Sequence, residues 1–199
     1  MIKRISDIIF SLSGLLFFSL ILIPFLISVW RYDKKSPLYI SPRIGKNFEI
    51  FNLIKIRTMT VDADKKGISS TSDNDTRIIP IGQKIRKYKI DELTQLFNVL
   101  IGNMSLVGPR PNVKSEVDLY TETEKNLLYV KPGITDFSSI VFSDEGKILE
   151  NKENPDLSYN QLIRPWKSRL GLIYIKHRSM FLDLELMIFT IVTLISKPI

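Results

Sequence analysis

The longest apolar run of the sequence is IIFSLSGLLFFSLILIPFLISVW, from Ile8 to Trp30. It carries no charge, and as an ideal helix it would be about 34 Å long, which is enough to cross the ~30 Å hydrocarbon core of a bilayer. The run is long for a signal peptide, and it ends beside Arg31 instead of at a small-residue cleavage site. We therefore predict a retained membrane anchor over residues 1–35, with the rest of the domain over residues 36–199.

Pro24 interrupts the apolar run. A proline inside a helix removes one backbone donor and crowds the carbonyl four residues earlier, so we expect a kink or a break there. Basic residues flank the run on both sides: Lys3, Arg4, Arg31, Lys34 and Lys35. Because positive residues favour the cytoplasmic side of a membrane, such balanced flanks suit a re-entrant helix-break-helix as well as a kinked ordinary span. The residues alone leave both topologies open.

A second apolar run, Leu186 to Ile195, lies near the other end of the chain. It is too short to span a bilayer. This run predicts either a buried helix or a helix that lies in the membrane interface.

The composition narrows the possible chemistry. Lys and Arg number 28 against 21 Asp and Glu, a net charge of +7, which favours anionic partners such as phosphates, nucleic acid or acidic headgroups. The absence of cysteine excludes disulfides, thiolate nucleophiles and thiolate metal sites. With His177 as the single histidine, a catalytic triad or a multi-histidine metal site has little support. Acid–base or nucleophilic chemistry must come mainly from carboxylates, hydroxyls, Lys or Tyr.

Between the apolar runs the patterns predict a mainly helical α+β domain. Residues Pro37 to Met59 have strand-like runs on either side of Gly45-Lys46-Asn47, which indicates a β-hairpin. The polar stretch from Val61 to Arg77 predicts a mobile loop and a candidate lid. Apolar spacing and Gly or Pro signals predict helices over the following ranges: Ile85 to Gly102, Ser115 to Val130, Pro155 to Ile163 and Trp166 to His177.

Two adjacent carboxylates, Asp91 and Glu92, lie within the first of these predicted helices. An acidic pair in a first helical turn commonly caps free amides and complements the helix dipole. Adjacent helical residues also point ~100° apart, so one carboxylate could act as a nucleophile and the other as a metal ligand or base. Taken alone, the pair favours the capping interpretation.

Basic residues surround this acidic pair. Lys84, Arg86, Lys87 and Lys89 precede it, and Arg110 follows it. Such cations bind phosphate groups, although a basic run is also typical of a solvated or headgroup-facing surface. Gly108-Pro109-Arg110-Pro111 is ordinarily a stiff turn, but prolines on both sides of an arginine would also hold its guanidinium in a fixed place for a diphosphate. No phosphate-binding loop of the kinase or dehydrogenase type is present.

The order of the motifs resembles the bacterial sugar transferases, and more specifically the small monotopic phosphoglycosyl transferases. The resemblance covers essentially the whole chain. Its motifs are KRISD (3–7) before an anchor with an internal proline, PRIGKNFEIFNLIKIRTM (42–59), RIIPIGQKIRKYKIDELTQLFNVLIGNMSLVGPRP (77–111) and YVKPGIT (129–135). Any one of these is weak, whereas the ordered set is highly specific.

This resemblance implies a re-entrant helix that is broken at Pro24 and enters and leaves at the cytoplasmic face of the bacterial inner membrane. It implies Mg²⁺-dependent transfer of a sugar 1-phosphate from a UDP-sugar to a polyprenol phosphate, usually undecaprenyl phosphate, with release of UMP. That reaction is the first membrane step of glycoconjugate and polysaccharide biosynthesis. Membrane lipid is an expected partner and nucleic acid is not, and no oligomeric state is predicted.

The resemblance also assigns roles to residues. Asp91 corresponds to the nucleophile that forms a covalent phosphosugar-aspartate and belongs to the metal site, and Glu92 completes the catalytic dyad. The remaining matches are substrate-binding residues: Arg86, Arg110, Lys55 and Arg57.

Some positions depart from the commoner family pattern. Ser41 stands where many members have Gln, Thr94 replaces a frequent Pro, and residues 136–145 read DFSSIVFSDE where a GWAQV type is usual. The last departure resembles a branch of small enzymes, several of which handle acetamido or diacetamido trideoxy sugars. The identity of the sugar therefore stays open.

Two other classes of protein compete with the transferase interpretation. The first is a non-enzymatic, basic membrane-surface interaction module, in which Asp91 and Glu92 merely begin a helix. The second is a membrane-tethered nucleic-acid binder, which the basic excess suggests but which lacks a recognised binding motif.

Overall fold

The computed structural model describes residues 2–63, 74–150 and 152–196, and within these residues the fold is mainly helical α+β, as predicted. The strands are β1 (Leu38–Ile44), β2 (Ile50–Ile56), β3 (Ser105–Val107) and β4 (Gly133–Thr135). The helices are α1 (Ile2–Asp33), α2 (Pro80–Lys87), α3 (Gln95–Ile101), α4 (Lys114–Val117), α5 (Phe137–Val141), α6 (Glu145–Ile148), α7 (Pro155–Ser158), α8 (Arg164–His177) and α9 (Met180–Ile195). Most of the predicted loop over residues 61–77, namely residues 64–73, lies outside the described residues.

Helix α1 is one helical element that runs through Pro24, so the expected break at this residue is not confirmed. A proline deprives a helix of one internal hydrogen bond, while the bonds on either side of it can persist. The hydroxyl of Ser28 donates to the Pro24 carbonyl at 2.8 Å. Within the described residues, α1 is the one helix long and apolar enough to cross a membrane.

One face of α1 packs on the rest of the protein. Leu22 and Val29 are buried against Ile56, Ile79 and Ile85, and each such side chain contributes roughly 1.5–3 kcal/mol by its burial. The other faces of α1 carry exposed apolar side chains: Ile5, Ile9, Leu12, Leu16, Phe17, Leu20, Ile23 and Ile27. The helix is therefore partly a component of the core and partly an apolar outer surface.

Both ends of α1 are joined to the domain by ion pairs. Near the first turn, the Lys3 ammonium lies 2.6 Å from a carboxylate oxygen of Asp183 in α9. At the other end, Asp33 accepts two hydrogen bonds, each of 2.7 Å, from the guanidinium of Arg57. The helix thus lies along the domain and is held at both of its ends.

The predicted hairpin is confirmed. β1 and β2 pair antiparallel, from Leu38 opposite Ile56 to Ile44 opposite Ile50. Side chains alternate between the two faces of a strand, so Tyr39, Ser41 and Arg43 share a face of β1, and this face lines the large cleft described below.

The single helix predicted from Ile85 is wrong. α2 ends at Lys87, Lys89 has a left-handed backbone (φ 54°), a 3₁₀ turn covers Ile90–Glu92, and α3 begins at Gln95. A right-handed helix cannot continue through a left-handed residue. Gly102 ends α3 with a φ of 95°, as predicted.

Two other helix predictions need correction. The helix predicted over residues 115–130 is wrong, because this segment contains the short α4 and a 3₁₀ helix over Glu124–Tyr129, separated by a turn in which Thr121 donates its backbone N–H to Glu124. The break predicted at Pro165 is wrong as well. A π-helical segment, Tyr159–Ile163, leads directly into α8, where Pro165 occupies the first turn and needs no N–H partner.

The second apolar run forms most of α9, a helix of 16 residues. Leu186 is buried, and Leu182 and Met187 are partly buried against the core. Its outer face carries exposed apolar side chains: Phe181, Leu184, Ile188, Phe189, Ile191, Val192 and Ile195. Helix α9 is therefore buried on one face, as one of the two alternatives predicted. Its other face is apolar and exposed, and its location in the membrane interface stays a prediction.

Candidate active site

A cleft of ≈ 1060 Å³ lies beside the hairpin, between β1, β2 and the segments that follow them. All six of the polar residues predicted from the sequence line it: Lys55, Arg57, Arg86, Asp91, Glu92 and Arg110. The structure therefore brings these residues together, although they are spread over more than fifty positions of the chain. Pro24 does not line the cleft.

The backbone turn at Lys89 presents the two carboxylates to the cleft. After this left-handed residue, Asp91 and Glu92 lie in a short 3₁₀ turn instead of the first turn of an α-helix. Neither carboxylate provides an N-cap hydrogen bond to α3, whose N-cap residue is Thr94. The helix-capping interpretation of this pair is therefore wrong.

Glu92 is held by two cations. The guanidinium of Arg110 donates to both of its carboxylate oxygens, at 2.6 and 2.8 Å, and the Lys55 ammonium lies 3.3 Å from one of them. Burial alone would raise the pKa of Glu92, but the charges of Arg110 and Lys55 outweigh burial and hold this pKa well below its usual range. Glu92 is thus an ionised carboxylate whose oxygens are already bound.

Arg110 is placed by a close approach of two backbone segments. A Cβ built on Gly133 would lie 2.1 Å from the backbone nitrogen of Gly108, so neither glycine leaves room for a side chain. Gly133 donates its N–H to the Pro109 carbonyl, and Arg110 donates to the carbonyl of Ile134 at 2.7 Å. The loop predicted to fix this guanidinium does so with help from β4.

Asp91 differs from its neighbour. It is 6% exposed, and its Oδ1 atom is buried without a hydrogen-bond partner in residues 2–63, 74–150 and 152–196. Burial raises the pKa of Asp91, and the negative charge of Glu92 adds to this effect, while the ammonium of Lys55 opposes it. Neighbouring carboxylates whose pKa values are pushed in opposite directions are typical of catalytic pairs with different roles.

The other predicted cations are placed less directly. Arg86 makes one long hydrogen bond, 3.4 Å, to the hydroxyl of Thr58. The Arg57 guanidinium is buried and donates to Asp33 and to the Ser36 carbonyl. Arg57 therefore connects the wall of the cleft to the end of α1, a partnership that the sequence analysis did not foresee.

Further polar residues line the cleft and were missed, among them Arg43, Glu116 and Tyr159. Arg43 could have been found, because the alternation along β1 places it on the same face as Tyr39 and Ser41. Glu116 and Tyr159 come from α4 and from the π-helical segment, and no spacing in the sequence joins these segments to the hairpin.

Comparison with known proteins identifies the family to which the chain is similar. A model of the family described as bacterial sugar transferase matches residues 1–197. The chain is 33% identical to the galactosyl transferase CpsE of Streptococcus agalactiae, over 95% of this chain and 41% of that protein. It is 36% identical to the uncharacterized sugar transferase EpsL of Bacillus subtilis, over 96% of this chain and 85% of that protein. It is also 32% identical to the UDP-glucose:undecaprenyl-phosphate glucose-1-phosphate transferase of Klebsiella pneumoniae, over 95% of this chain and 39% of that protein.

The family match covers essentially the whole chain, including the long apolar helix and the cleft with its carboxylate pair. The chain belongs to the bacterial sugar transferase family. It is therefore an enzyme, and the interpretation as a non-enzymatic surface module is set aside. The chain spans less than half the length of some of the relatives that it matches, including CpsE.

Proposed function

We propose that the protein transfers a sugar 1-phosphate from a UDP-sugar to a polyprenol phosphate, with undecaprenyl phosphate as the acceptor, and releases UMP. The names of related proteins, which describe undecaprenyl-phosphate sugar phosphotransferases, support this reaction class. The observation that carries the proposal is the contrast within the carboxylate pair. Asp91 has a buried oxygen with no partner, whereas Glu92 is bound by Arg110 and Lys55. Asp91 is therefore the carboxylate that is free to attack.

The proposed reaction has two balanced steps. In the first, an Asp91 carboxylate oxygen attacks the phosphorus that bears the sugar, an O–P bond forms, and the bond to the bridging oxygen breaks, so that UMP leaves with the electron pair. In the second, an oxygen of the polyprenol phosphate attacks the same phosphorus, and the aspartyl O–P bond breaks to regenerate the carboxylate. Neither step requires a thiol or an imidazole. The cations of the cleft offset the negative charge on the phosphate oxygens.

Mg²⁺ fits the residues at this site. Within residues 2–63, 74–150 and 152–196, no group of three or more His, Cys, Asp or Glu side chains is positioned to hold a metal ion. However, Mg²⁺ is commonly held by one or two carboxylates together with substrate phosphates, and the unpartnered oxygen of Asp91 suits that arrangement. When bound there, the ion would neutralise charge on the transferred phosphoryl group. It would also favour the ionised form of Asp91.

The position of α1 supports a monotopic arrangement at the cytoplasmic face of the inner membrane. Its two ends pair with Asp183 and Arg57, which belong to the same domain. A helix that crossed the bilayer would carry its ends to opposite faces. We therefore propose that α1 enters the membrane from one face only, with the exposed apolar sides of α1 and α9 in contact with lipid. The nucleotide would then arrive from water and the lipid phosphate from the bilayer.

The test uses the full chain in nanodiscs with Mg²⁺, undecaprenyl phosphate and a panel of UDP-sugars that includes acetamido trideoxy sugars. UMP release is measured for the wild-type protein, for Asp91→Asn and for Asp118→Asn. The last variant is a matched control, because Asp118 is exposed and pairs with Lys114 in a surface ion pair. We expect UMP release from the wild type and the control, and none from Asp91→Asn.

A second measurement isolates the covalent step. Without the lipid acceptor, the wild-type protein should gain the mass of one phosphosugar, and peptide mapping should locate it at Asp91. Undiminished turnover in Asp91→Asn would overturn the role of this residue as nucleophile. No UMP release from any donor, in folded protein beside an active relative, would overturn the proposed reaction.

A further inference from the structure

Three polar side chains at one end of the cleft have no part in the proposed chemistry. Arg43 comes from β1, Glu116 from α4 and Tyr159 from the π-helical segment. All three line the same cleft as the carboxylate pair. In the hairpin, Lys55 lies opposite Tyr39, and Arg43 is four residues further along β1, a distance of about 13 Å along the strand. The backbone of Arg43 therefore lies to one side of the centre at Asp91, although its guanidinium still interacts electrostatically with Arg110 and Lys55.

Within the described residues, this group has unfilled hydrogen-bonding capacity. The Nε atom of Arg43 is buried without a hydrogen-bond partner. Arg43 and Glu116 attract each other electrostatically, but no ion pair joins them in the part of the chain that the structure describes. Buried polar groups in native proteins are almost always satisfied, so a guanidinium and a carboxyl that face the same cleft without contact leave a position for a ligand between them.

The balance of charge differs between the two ends of the cleft. Arg43 and Glu116 have opposite charges, and nearby Lys167 pairs with Glu145 and lies 5.2 Å from the centre of the Tyr159 ring. The end beside α1 is lined instead by basic side chains that form no ion pair among the described residues: Lys35, Arg86, Lys87 and Lys89. The end of the cleft at Arg43 and Glu116 suits a neutral polar group, and the end beside α1 suits phosphates.

The order of the proposed steps favours the same division. The UMP that leaves and the lipid phosphate that attacks must each lie opposite the aspartyl oxygen, so they use the same region of the cleft in turn. The sugar stays on the phosphorus throughout both steps. A separate place for the sugar is therefore required, away from the basic end.

We infer that Arg43, Glu116 and Tyr159 bind the sugar of the donor and determine which sugar the enzyme accepts. This inference rests on the proposed function. Arg43 would donate to a ring hydroxyl or to the carbonyl of an acetamido group, and Glu116 would accept from a hydroxyl or an amide N–H. Tyr159 would pack its ring against the apolar face of the sugar. A site built to bind particular polar groups rejects sugars that lack them, since its own buried groups would stay unpaired.

The test compares the wild type with Arg43→Gln, Glu116→Gln and Tyr159→Phe, each in nanodiscs, with Asp118→Asn as the control from the end of α4. Three quantities are measured: kcat/KM for a panel of UDP-sugars that differ in one substituent at a time, the KM for undecaprenyl phosphate, and the inhibition constant of UMP. UMP is the probe that lacks the sugar. Unchanged inhibition by UMP also shows that a variant is folded.

We expect kcat/KM for the preferred donor to fall about 10- to 100-fold in Arg43→Gln and Glu116→Gln, as for the loss of a hydrogen bond to a charged group. The preference among donors should shrink, while UMP inhibition and the KM for the acceptor change less than about twofold. Tyr159→Phe keeps the ring, so it should weaken only donors that hydrogen-bond to the hydroxyl.

Other results would overturn the inference. If UMP inhibition weakens in parallel with donor turnover, the nucleoside occupies this end of the cleft. If the KM for undecaprenyl phosphate rises instead, the lipid phosphate occupies this end of the cleft. Unaltered donor preference in all three variants would give these residues a purely structural role. A wild-type protein that releases UMP from no donor would overturn the proposed function itself, and this inference with it.

Discussion

Asp91 and Glu92 are adjacent, but their surroundings shift the pKa values of the two carboxyl groups in opposite directions. Arg110 and Lys55 bind both oxygens of Glu92 and lower its pKa. Burial raises the pKa of Asp91, and its Oδ1 atom has no hydrogen-bond partner among the described residues. A carboxylate that is costly to ionise in a buried site gains from any cation or phosphorus centre that arrives there. The burial of the Asp91 carboxylate, which destabilises its ionised form, therefore favours its reaction with a phosphorus centre.

The raised pKa of Asp91 leads to a prediction about pH. Attack requires the ionised carboxylate, so UMP release should fall as the pH is lowered through the pKa of Asp91. Because Mg²⁺ would favour the ionised form, the pKa itself is measured in the Mg²⁺-free protein, and we expect the midpoint of the Asp91 titration, followed by NMR of the side-chain carboxyl carbons, to lie above the usual aspartate value. Glu92 should not titrate in this range, because its pKa lies below its own usual value. A midpoint at or below the usual aspartate value would contradict the proposed environment of Asp91.

Glu92 gives a second prediction at the scale of a residue, this time for stability. Glu92→Gln removes the carboxylate that the partly buried Arg110 binds and leaves Lys55 with the charge of Asp91 alone, which should cost about 2 kcal/mol and lower the Tm. Because the pKa of Glu92 is depressed in the folded state, its stabilising effect is present above its unfolded pKa and is lost as the pH falls through the folded one. The difference in Tm between variant and wild type should therefore shrink in acid.

The control for this change is Glu122→Gln. Glu122 is exposed and pairs with Lys125 on the surface, and such pairs contribute little to stability. An equal loss of Tm in both variants would show that the buried network around Glu92 has no special weight.

Much of this site could be predicted from residue types and order. The residues of the carboxylate pair, Arg110 and Lys55 are near enough in the motifs to be assigned a common site. The sequence could not show that the guanidinium of Arg57 donates to Asp33, because that contact depends on where α1 ends relative to β2. Nor could it join Glu116 or Tyr159 to the cleft, since tertiary packing alone brings their segments to β1.

At the scale of elements, the left-handed residue Lys89 separates α2 from the turn that carries the carboxylates. Its φ of 54° is costly for a residue with a Cβ. A continuous helix through this point would carry the following carboxylates in a different direction. The strained turn therefore contributes to the site, although no side-chain pattern in the sequence reports it.

The backbone strain at Lys89 can be measured with two variants. Lys89→Gly and Lys89→Ala remove the same ammonium, but only glycine adopts the left-handed backbone without strain. We expect the glycine variant to be more stable than the alanine variant by about 1 kcal/mol, with similar donor turnover in both. Equal Tm values would show that Lys89 leaves the left-handed conformation easily.

The glycine signal at Gly102 correctly predicted the end of a helix, whereas long continuous helices predicted from apolar spacing are interrupted in the structure. Gly102 ends α3 because its backbone is left-handed. In contrast, the helix predicted over residues 115–130 is interrupted by the turn at Thr121, whose N–H is satisfied by Glu124. A side chain that completes a turn in this way competes with the helix for the same backbone groups, and apolar periodicity does not register that competition.

At the scale of the whole molecule, the contacts at the two ends of α1 predict its topology. The chain has no cysteine, so single cysteines can be introduced at Ile2, Leu16 and Lys35 without a background. In sealed vesicles, an impermeant maleimide should label positions 2 and 35 from the same side. Position 16, which is on the exposed apolar face, should be protected by lipid from both sides.

Labelling of positions 2 and 35 from opposite sides would mean a true transmembrane span, and the contact between Lys3 and Asp183 would then have to be broken in the membrane. Labelling of position 16 from either side would mean that the apolar face of α1 does not lie in lipid.

The contact between Lys3 and Asp183 also constrains the order of events during synthesis. The two residues are 180 positions apart, and at ~5–20 residues per second the ribosome needs about 10–40 s to make the chain between them. The apolar helix emerges before α9 and receives this partner only when α9 has been translated. During that interval the first turn of α1 lacks the partner that α9 supplies, and we predict that a bilayer present during translation reduces aggregation of the nascent chain.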